Sequence, residues 1–244
     1  MPAPAPKKSV SRTATTAPRS GRPRAATVAS KVYADLRAEL VSLQRRPGDA
    51  VSEAQIALAY GVSRTPIREA ILKLADEGLL EIYPQSGIFV SRIPVAALPE
   101  AIIIRKALEE TTARLAAERA TSSQILALQS ILERQREASN AGNSEAFHQA
   151  DEMFHAAVAD IAGHPGIWKF IQQVKLHVDR YRRLTLPQRG RMTQVIVEHE
   201  AVLIAIEGHN VEAARHAMGV HLDQLLANIS ATRHINPEYF DERA

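Results

Sequence analysis

The stretch Gly61-Val62-Ser63-Arg64-Thr65-Pro66-Ile67-Arg68-Glu69-Ala70 decides the fold of the N-terminal part of this chain. Glycine followed by small polar residues is typical of a turn. Thr65 suits a helix N-cap and Pro66 the first helical position, because the first turn leaves its N–H groups without helical partners. Apolar residues then recur at the spacing of one buried helix face, at Ile67, Ala70, Ile71 and Leu74. The stretch therefore predicts a helix that buries one side and exposes two arginines.

The flanking sequence completes a small domain. Apolar residues at helical spacing between Val28 and Leu43 predict a preceding helix, and Ser52 suits the cap of a short second helix that ends at Gly61. Two β-prone runs, 79–83 and 88–92, are joined by a Gly-containing turn and predict a hairpin. Three helices and a hairpin make a winged helix-turn-helix domain, which we expect over residues 27–93. Its third helix presents guanidinium and hydroxyl groups of the kind that the DNA major groove admits.

Composition narrows the class of protein. The chain has 244 residues, no cysteine and a formal net charge of +3. Disulfides and thiolate metal sites are therefore excluded. The sequence lacks an apolar run of about 18 residues and the apolar core of a signal peptide, so we expect no membrane span and a cytoplasmic location.

Residues 1–26 differ in composition from the rest. They are rich in proline, alanine, serine and threonine, and the first 30 residues contain no acid. Their basic residues are Lys7, Lys8, Arg12, Arg19, Arg22 and Arg24. Such a segment buries too little apolar surface to offset its ordering entropy, so we expect a disordered basic tail. It is either a solvated tail or an arm that adds non-specific attraction to phosphate.

The remainder of the chain is helical in pattern. After Pro94 and Pro99, apolar residues recur at helical spacing with short polar connections, and no strand pattern competes. We expect an all-helical antiparallel bundle of six to seven helices over residues 94–232, followed by a C-terminal tail over 233–244. The predicted fold class is therefore mostly α.

Four residues of the bundle have the types that bind metal. Asp151 and His155 are four residues apart and so share one helix face, and His199 and His221 lie on two later helices. One carboxylate and three imidazoles from three helices can converge in a bundle core. Spacing alone is weak, because single histidines are more often core or surface residues. Further polar residues near the expected pocket are His177, Tyr181, Arg182 and Asn228, and none receives a role from the sequence.

The segment from Pro47 to Val90 resembles the DNA-binding domain of the GntR family of bacterial transcription regulators. The matching phrases are Val62-Ser63-Arg64-Thr65-Pro66-Ile67-Arg68-Glu69-Ala70, Glu77-Gly78-Leu79 and Pro84-Gln85-Ser86-Gly87-Ile88-Phe89-Val90. The resemblance implies that the third helix enters the major groove and that the hairpin touches the minor groove or the backbone. The residues that it assigns to DNA contact are Ser63, Arg64, Thr65, Arg68 and, in the hairpin, Gly87.

Arg64 and Arg68 are four residues apart, so one can read guanine O6 and N7 and the other a phosphate. For a lone arginine, a solvated surface charge is the usual alternative. Two arginines after a glycine turn, on a helix with a clean buried face, favour DNA contact.

Residues 95–232 resemble the FCD-type ligand-binding domain of the FadR-like branch of the same family. The matching phrases are Arg105-Lys106-Ala107-Leu108-Glu109, Asp151-Glu152-Met153-Phe154-His155, Glu198-His199 and Met218-Gly219-Val220-His221-Leu222. The resemblance implies a divalent metal held by Asp151, His155, His199 and His221. Zinc is the first choice, and nickel or manganese also suits these ligands. The resemblance also implies that Arg105 anchors the carboxylate of a small effector. The alternative for Arg105 is an intrahelical ion pair with Glu109.

Two functions follow as expectations. The first is a homodimeric transcription regulator, a repressor, that binds double-stranded operator DNA and releases it when a small organic acid binds the bundle. The second is a metal-dependent hydrolase in which the same four residues activate water. The hydrolase lacks an additional base, because Glu152 and Glu198 are expected to point to other helix faces, and it leaves the winged domain unexplained.

Overall fold

The computed structural model describes residues 25–232 and 236–241. Most of the predicted basic tail, residues 1–24, lies outside the described residues, and so do 233–235 and 242–244 of the predicted C-terminal tail. Within the described residues, no helix is long and apolar enough to cross a membrane. The architecture is mostly α, as the sequence predicts.

The N-terminal domain contains the three predicted helices: α1 Ala25–Val41, α2 Glu53–Tyr60 and α3 Arg64–Asp76. Ser52 caps α2 by accepting a hydrogen bond from the Gln55 N–H, and Gly61 ends it with a left-handed φ of 63°. Helix α3 begins one residue before the predicted cap, with Ser63 as its N-cap. Proline is tolerated throughout a first turn, because its N–H groups have no helical acceptor, so Pro66 does not fix the start.

The hairpin is formed by β2 Leu80–Tyr83 and β3 Gly87–Val90, which pair antiparallel. A further strand, β1 Ala50–Val51, pairs with the other edge of β3 and gives the order β1-β3-β2. A strand of two residues is too short to show a periodic pattern of apolar residues, so the sequence did not predict β1. We call the β2–β3 hairpin the wing. The prediction of a winged helix-turn-helix is confirmed.

The second domain begins with β4 Ile93–Pro94 and a 3-10 turn at Val95–Ala97. Seven helices follow within the described residues: α4 Leu98–Arg119, α5 Ser122–Asn140, α6 Ser144–Ile161, α7 Pro165–Val174, α8 Leu176–Thr185, α9 Arg191–Glu207 and α10 Val211–Thr232. Helix α4 packs along α10, and α6 packs between α4 and α5. Their apolar faces form one core that includes Phe154, Val202 and Met218.

The sequence predicts one helix over 167–184, but the structure has two, α7 and α8, with the break at Lys175. Neither proline nor glycine marks the break. The Lys175 side chain is buried, and its ammonium donates to Glu152 Oε1 at 2.8 Å and to Asp179 Oδ2 at 2.5 Å. The break coincides with this buried ion pair, which depends on tertiary packing rather than on local sequence.

Helix α8 also joins the two domains. Leu176 packs into the core of the DNA-binding domain, and the ring of His177 lies against Gly78. Arg180 is fully buried and donates from Nη1 to Ser91 Oγ at 3.0 Å and from Nη2 to the Ser91 carbonyl. Ser91 lies in the connection between the wing and β4, so α8 is attached to that connection.

The C-terminal segment returns to the same connection. Residues Pro237–Tyr239 form a 3-10 turn, and β5 Phe240–Asp241 pairs parallel with β4. Arg92 Nε donates to the Glu238 carbonyl at 2.9 Å, and Phe240 is buried in the bundle core. The sequence predicts a C-terminal tail over residues 233–244, but residues 236–241 of that segment form a turn and a strand that pack against the domain connection.

Candidate functional site

The outer face of α3 carries the residues expected to contact DNA. Ser63, Arg64, Thr65 and Arg68 are all exposed, whereas Ile67 lies in the core of the domain. Arg68 Nε lies 3.4 Å from Glu53 Oε1, but the Arg68 side chain keeps 72% of its surface exposed. Such a surface pair is weak and does not withdraw the guanidinium from a partner.

Gly87 lies at the tip of the wing, where β3 begins. Its φ of 117° is a conformation that side chains with a Cβ adopt only with strain. The residue is exposed, and the ring of Phe89 packs edge-on against Tyr83 beside it. Glycine is therefore needed for the backbone of the wing, whether or not this position touches DNA.

The four residues of metal-binding type meet in the bundle core. Asp151 and His155 come from α6, His199 from α9 and His221 from α10, and all four side chains are buried. The three histidines each offer a ring nitrogen within 4.8 Å of the others. His199 Nε2 lies 3.3 Å from His221 Nε2 and 3.7 Å from Asp151 Oδ1. His155 Nε2 lies 3.9 Å from Asp151 Oδ2. The convergence expected from the sequence is therefore present in the fold.

An oxygen acceptor faces the outer nitrogen of each histidine. His221 Nδ1 lies 2.7 Å from Glu198 Oε2, His199 Nδ1 lies 3.0 Å from Gln135 Oε1, and His155 Nδ1 is in contact with Glu109. Carboxylate and amide oxygens only accept, so the hydrogen bonds of His199 and His221 place the proton of these two rings on Nδ1. The Nε2 lone pairs then face one another around a common point. Imidazoles that bind a metal ion have this arrangement, with the outer nitrogen hydrogen-bonded and the inner lone pair directed to the ion.

The charge of the site also fits a cation. Arg182 Nη1 donates to Asp151 Oδ2 at 2.6 Å, while Oδ1 is buried and has no hydrogen-bond partner among the described residues. Burial disfavours an ionised Asp151, but the Arg182 guanidinium holds the pKa of its carboxyl well below its usual range. Burial lowers the pKa of His199 and His221 far below the ordinary value, so both rings are neutral. Neutral imidazoles and a carboxylate are the protonation states that bind metal.

Arg105 lies on α4 beside this cluster and is fully buried. Its Nε donates to Glu109, so the intrahelical pair considered as an alternative is present. Nη1 and Nη2 have no hydrogen-bond partner among the described residues. Glu109 contacts both Arg105 and His155, which links the guanidinium to the histidine cluster. Both Nη groups of the guanidinium therefore lack a partner among the described residues.

Sequence reasoning missed the residues that hold the cluster in place. Gln135 received no role there, Glu109 was considered only as the ion-pair partner of Arg105, and Arg182 was one of several unassigned polar residues. The expectation that Glu198 points away was wrong, because its carboxylate reaches His221 on the neighbouring helix α10. Only the packing of α9 against α10 reveals this contact, so no local sequence signal marks it.

Comparison with known proteins agrees with this organisation. A family model described as "Bacterial regulatory proteins, gntR family" matches residues 28–90, and one described as "FCD domain" matches residues 100–224. The chain is 32% identical over 215 residues to the HTH-type transcriptional repressor RspR of Escherichia coli (strain K12), over 88% of this chain and 94% of that protein. It is 33% identical over 209 residues to an uncharacterized HTH-type transcriptional regulator of Streptomyces ambofaciens, over 86% and 88% of the two chains.

Solved structures agree with the fold. E. coli McbR/YncC matches with a TM-score of 0.70 at 24% identity, over 84% of this chain and 97% of that chain. A regulator from Rhodococcus sp. RHA1 matches with a TM-score of 0.68 at 22% identity, over 84% and 98%. The chain therefore belongs to the GntR family of bacterial transcription regulators, with a gntR-type DNA-binding domain followed by an FCD domain.

Proposed function

We propose that this protein is a metal-containing, acid-responsive repressor that binds operator DNA as a homodimer in the cytoplasm. One observation carries the proposal: three histidine nitrogens and an unpartnered Asp151 oxygen converge in the bundle, next to a buried arginine with two unpartnered nitrogens. Buried polar groups without partners are costly, so a site that leaves several of them together is built for a ligand.

The metal ligands are Asp151, His155, His199 and His221. Zinc is the first choice, and nickel or manganese would also accept this set of one oxygen and three nitrogens. Bound there, the metal offers its open positions to an oxygen of the effector. Asp151 supplies the negative charge, Arg182 positions it, and Gln135, Glu198 and Glu109 orient the three rings.

The effector is a small organic acid. The Nη1 and Nη2 groups of Arg105 form the planar fork that pairs with a carboxylate through two hydrogen bonds. The guanidinium is buried, so this pairing takes place away from water and is stronger than on a surface. Sugar acids, dicarboxylates, aromatic acids and amino-acid derivatives all carry the required group.

Helix α8 provides the path from this site to DNA. Arg182 holds Asp151, and two residues earlier Arg180 holds Ser91 of the connection to the wing. If the metal and the effector change the position of Asp151, they also shift the equilibrium between two positions of α8. The DNA-binding domain, which is attached to α8, would move with it. A ligand shifts such an equilibrium by its difference in affinity for the two states.

DNA binding uses two copies of α3. One winged domain reads one half-site, and operators with two-fold symmetry need two domains at a fixed distance, which a homodimer supplies. Repression, relieved by the acid, follows the similarity to the repressor RspR. The hydrolase alternative gains no base from Glu198, because that carboxylate faces the outer nitrogen of His221.

The test uses the full-length protein, its own upstream DNA and fluorescence anisotropy at fixed salt. We expect salt-sensitive, sequence-specific binding that a carboxylic acid from a panel weakens at least tenfold in the zinc-loaded protein. Arg105→Gln should lose this response, whereas Arg114→Gln, at a half-exposed position of the same helix, should keep it. Binding that ignores every acid would refute the effector site, and a lack of specific binding would refute the regulator.

A further inference from the structure

A second polar cluster lies at the junction of the two domains, outside the histidine site described above. It opens into a cavity of about 780 Å³. The cavity is lined from the DNA-binding domain by Tyr33, Arg37 and Glu77, and from the bundle by α6, α7 and α8. A ligand bound in this cavity would contact elements of both domains.

The cluster consists of His148, Glu152 and Asp179. His148 and Glu152 are one turn apart on α6, and Asp179 faces them from α8. Each offers one ligand atom within 4.8 Å of the other two. His148 is only 5% exposed and Asp179 only 7%. His148 Nδ1 and Asp179 Oδ1 are buried without a hydrogen-bond partner among the described residues, so two polar atoms of the cluster are unsatisfied.

We propose that His148, Glu152 and Asp179 bind a second divalent transition-metal ion, of the zinc type, at the domain junction. One imidazole and two carboxylates are a common ligand set for such ions. Burial lowers the pKa of His148, with a further contribution from Arg182, so the ring is in the neutral form that coordinates metal. The ion lies at the wall of the cavity and is reached from solvent through it.

Lys175 currently supplies the positive charge of the cluster. Its ammonium donates to Glu152 and Asp179, which leaves the group of two carboxylates and one ammonium with a net charge of −1. A divalent ion neutralises both carboxylates. Lys175 is buried but lines the same cavity, so its ammonium can turn into the cavity when the ion binds. Metal and Lys175 therefore compete for the two carboxylates.

The two sites share α6 but no ligand. Asp151 and His155 serve the first, and His148 and Glu152, three residues earlier, serve the second. An ion at the second site ties α6 to α8 beside Arg37 and Glu77 of the DNA-binding domain. It would stiffen the junction that the effector response uses.

The test measures zinc bound per chain in the full-length protein, stripped with EDTA and titrated with Zn²⁺ by calorimetry and elemental analysis. We expect two ions for the wild type, one for His199→Ala, one for His148→Ala and none for the double variant. The matched control is His216→Ala, an exposed histidine of α10, which should keep two. A zinc content that His148→Ala leaves unchanged from the wild type would overturn the proposal.

A second variant separates coordination from folding. Lys175→Met removes the competing ammonium, so Zn²⁺ affinity at the second site should rise at least tenfold and Zn²⁺ should raise the Tm of this variant. Unchanged or weaker binding would contradict the proposal. If His148→Ala does not fold, Glu152→Gln, at a half-exposed position, takes its place. His199→Ala retains the second ion, so the second site can fail while the acid-responsive regulator stands.

Discussion

Arg182 Nη1 donates a 2.6 Å hydrogen bond to Asp151 Oδ2 in the centre of the bundle. The same carboxylate turns its other oxygen, Oδ1, toward His199. The guanidinium thus keeps Asp151 ionised in a buried site and fixes which oxygen faces the histidines. The removal of either partner would leave the other as an uncompensated buried charge, which is strongly destabilising.

Metal should stabilise this protein through His199. A ligand present at about 1,000 times its Kd stabilises the folded state by about 4 kcal/mol. We therefore expect EDTA to lower the Tm of the wild type by more than it lowers the Tm of the His199→Ala variant, which lacks a ligand of this site. Thermal unfolding with and without chelator measures the effect. The exposed His164→Ala variant serves as the control and should respond like the wild type; equal EDTA effects in all three proteins would contradict the assignment.

Arg64 should contribute sequence-specific affinity for DNA. If its guanidinium reads a base, Arg64→Ala weakens operator binding by about 1–3 kcal/mol and has less effect on unrelated DNA. Anisotropy titrations with operator DNA and with shuffled DNA give the ratio of the two Kd values, which measures specificity. Arg114→Ala, on the surface of the bundle, should bind both DNAs as the wild type does. A uniform loss on both DNAs, with a lower salt slope, would instead make Arg64 a phosphate contact.

Arg180 should couple the domains. Arg180→Met leaves the Ser91 carbonyl without its donor, which costs about 1–3 kcal/mol when the group stays buried. We expect faster limited proteolysis in the connection at residues 91–97 and a smaller effect of the acid on DNA affinity. The Arg189→Met variant, at an exposed position, is the control and should match the wild type in both proteolysis rate and acid response. A full acid response in the Arg180→Met variant would show that the signal travels by another route.

His177 should make stability depend on pH. Burial, with a contribution from Arg180, lowers the pKa of this imidazole to about 4. The unfolded chain takes up the proton near pH 6.5 and the folded protein does not, so the free energy of unfolding falls as pH drops from 6.5 toward 4. Its partial exposure limits the contribution to about 1–2 kcal/mol. Denaturant titrations in EDTA should show that the free energy of unfolding depends less on pH for His177→Gln than for the wild type. Identical pH dependence in the two proteins would contradict this role of His177.

The sequence predicted what depends on local pattern. The capped α2, the left-handed Gly61 and the buried face of α3 follow from residues within a few positions of each other. Two other features could not be predicted in this way. The two-residue strand β1 depends on pairing with β3, and the break at Lys175 depends on carboxylates of α6 and α8.

The same division applies to the bundle site. Asp151, His155, His199 and His221 were predicted from a family resemblance, and the fold brings them together. The residues that orient them were not predicted, since each contacts its partner across a helix interface; they are Arg182, Gln135 and Glu198. Side chains that only orient another residue leave no spacing pattern in a single sequence.

The pairing of β5 with β4 bears on how this protein can be engineered. The last described residues, Phe240 and Asp241, are bound to the connection that carries the DNA-binding domain. A reporter fused directly after residue 241 would lie against the connection between the two domains. A truncation before Pro237 would remove that brace, so biosensors made from this scaffold should keep the segment and place a flexible linker beyond it.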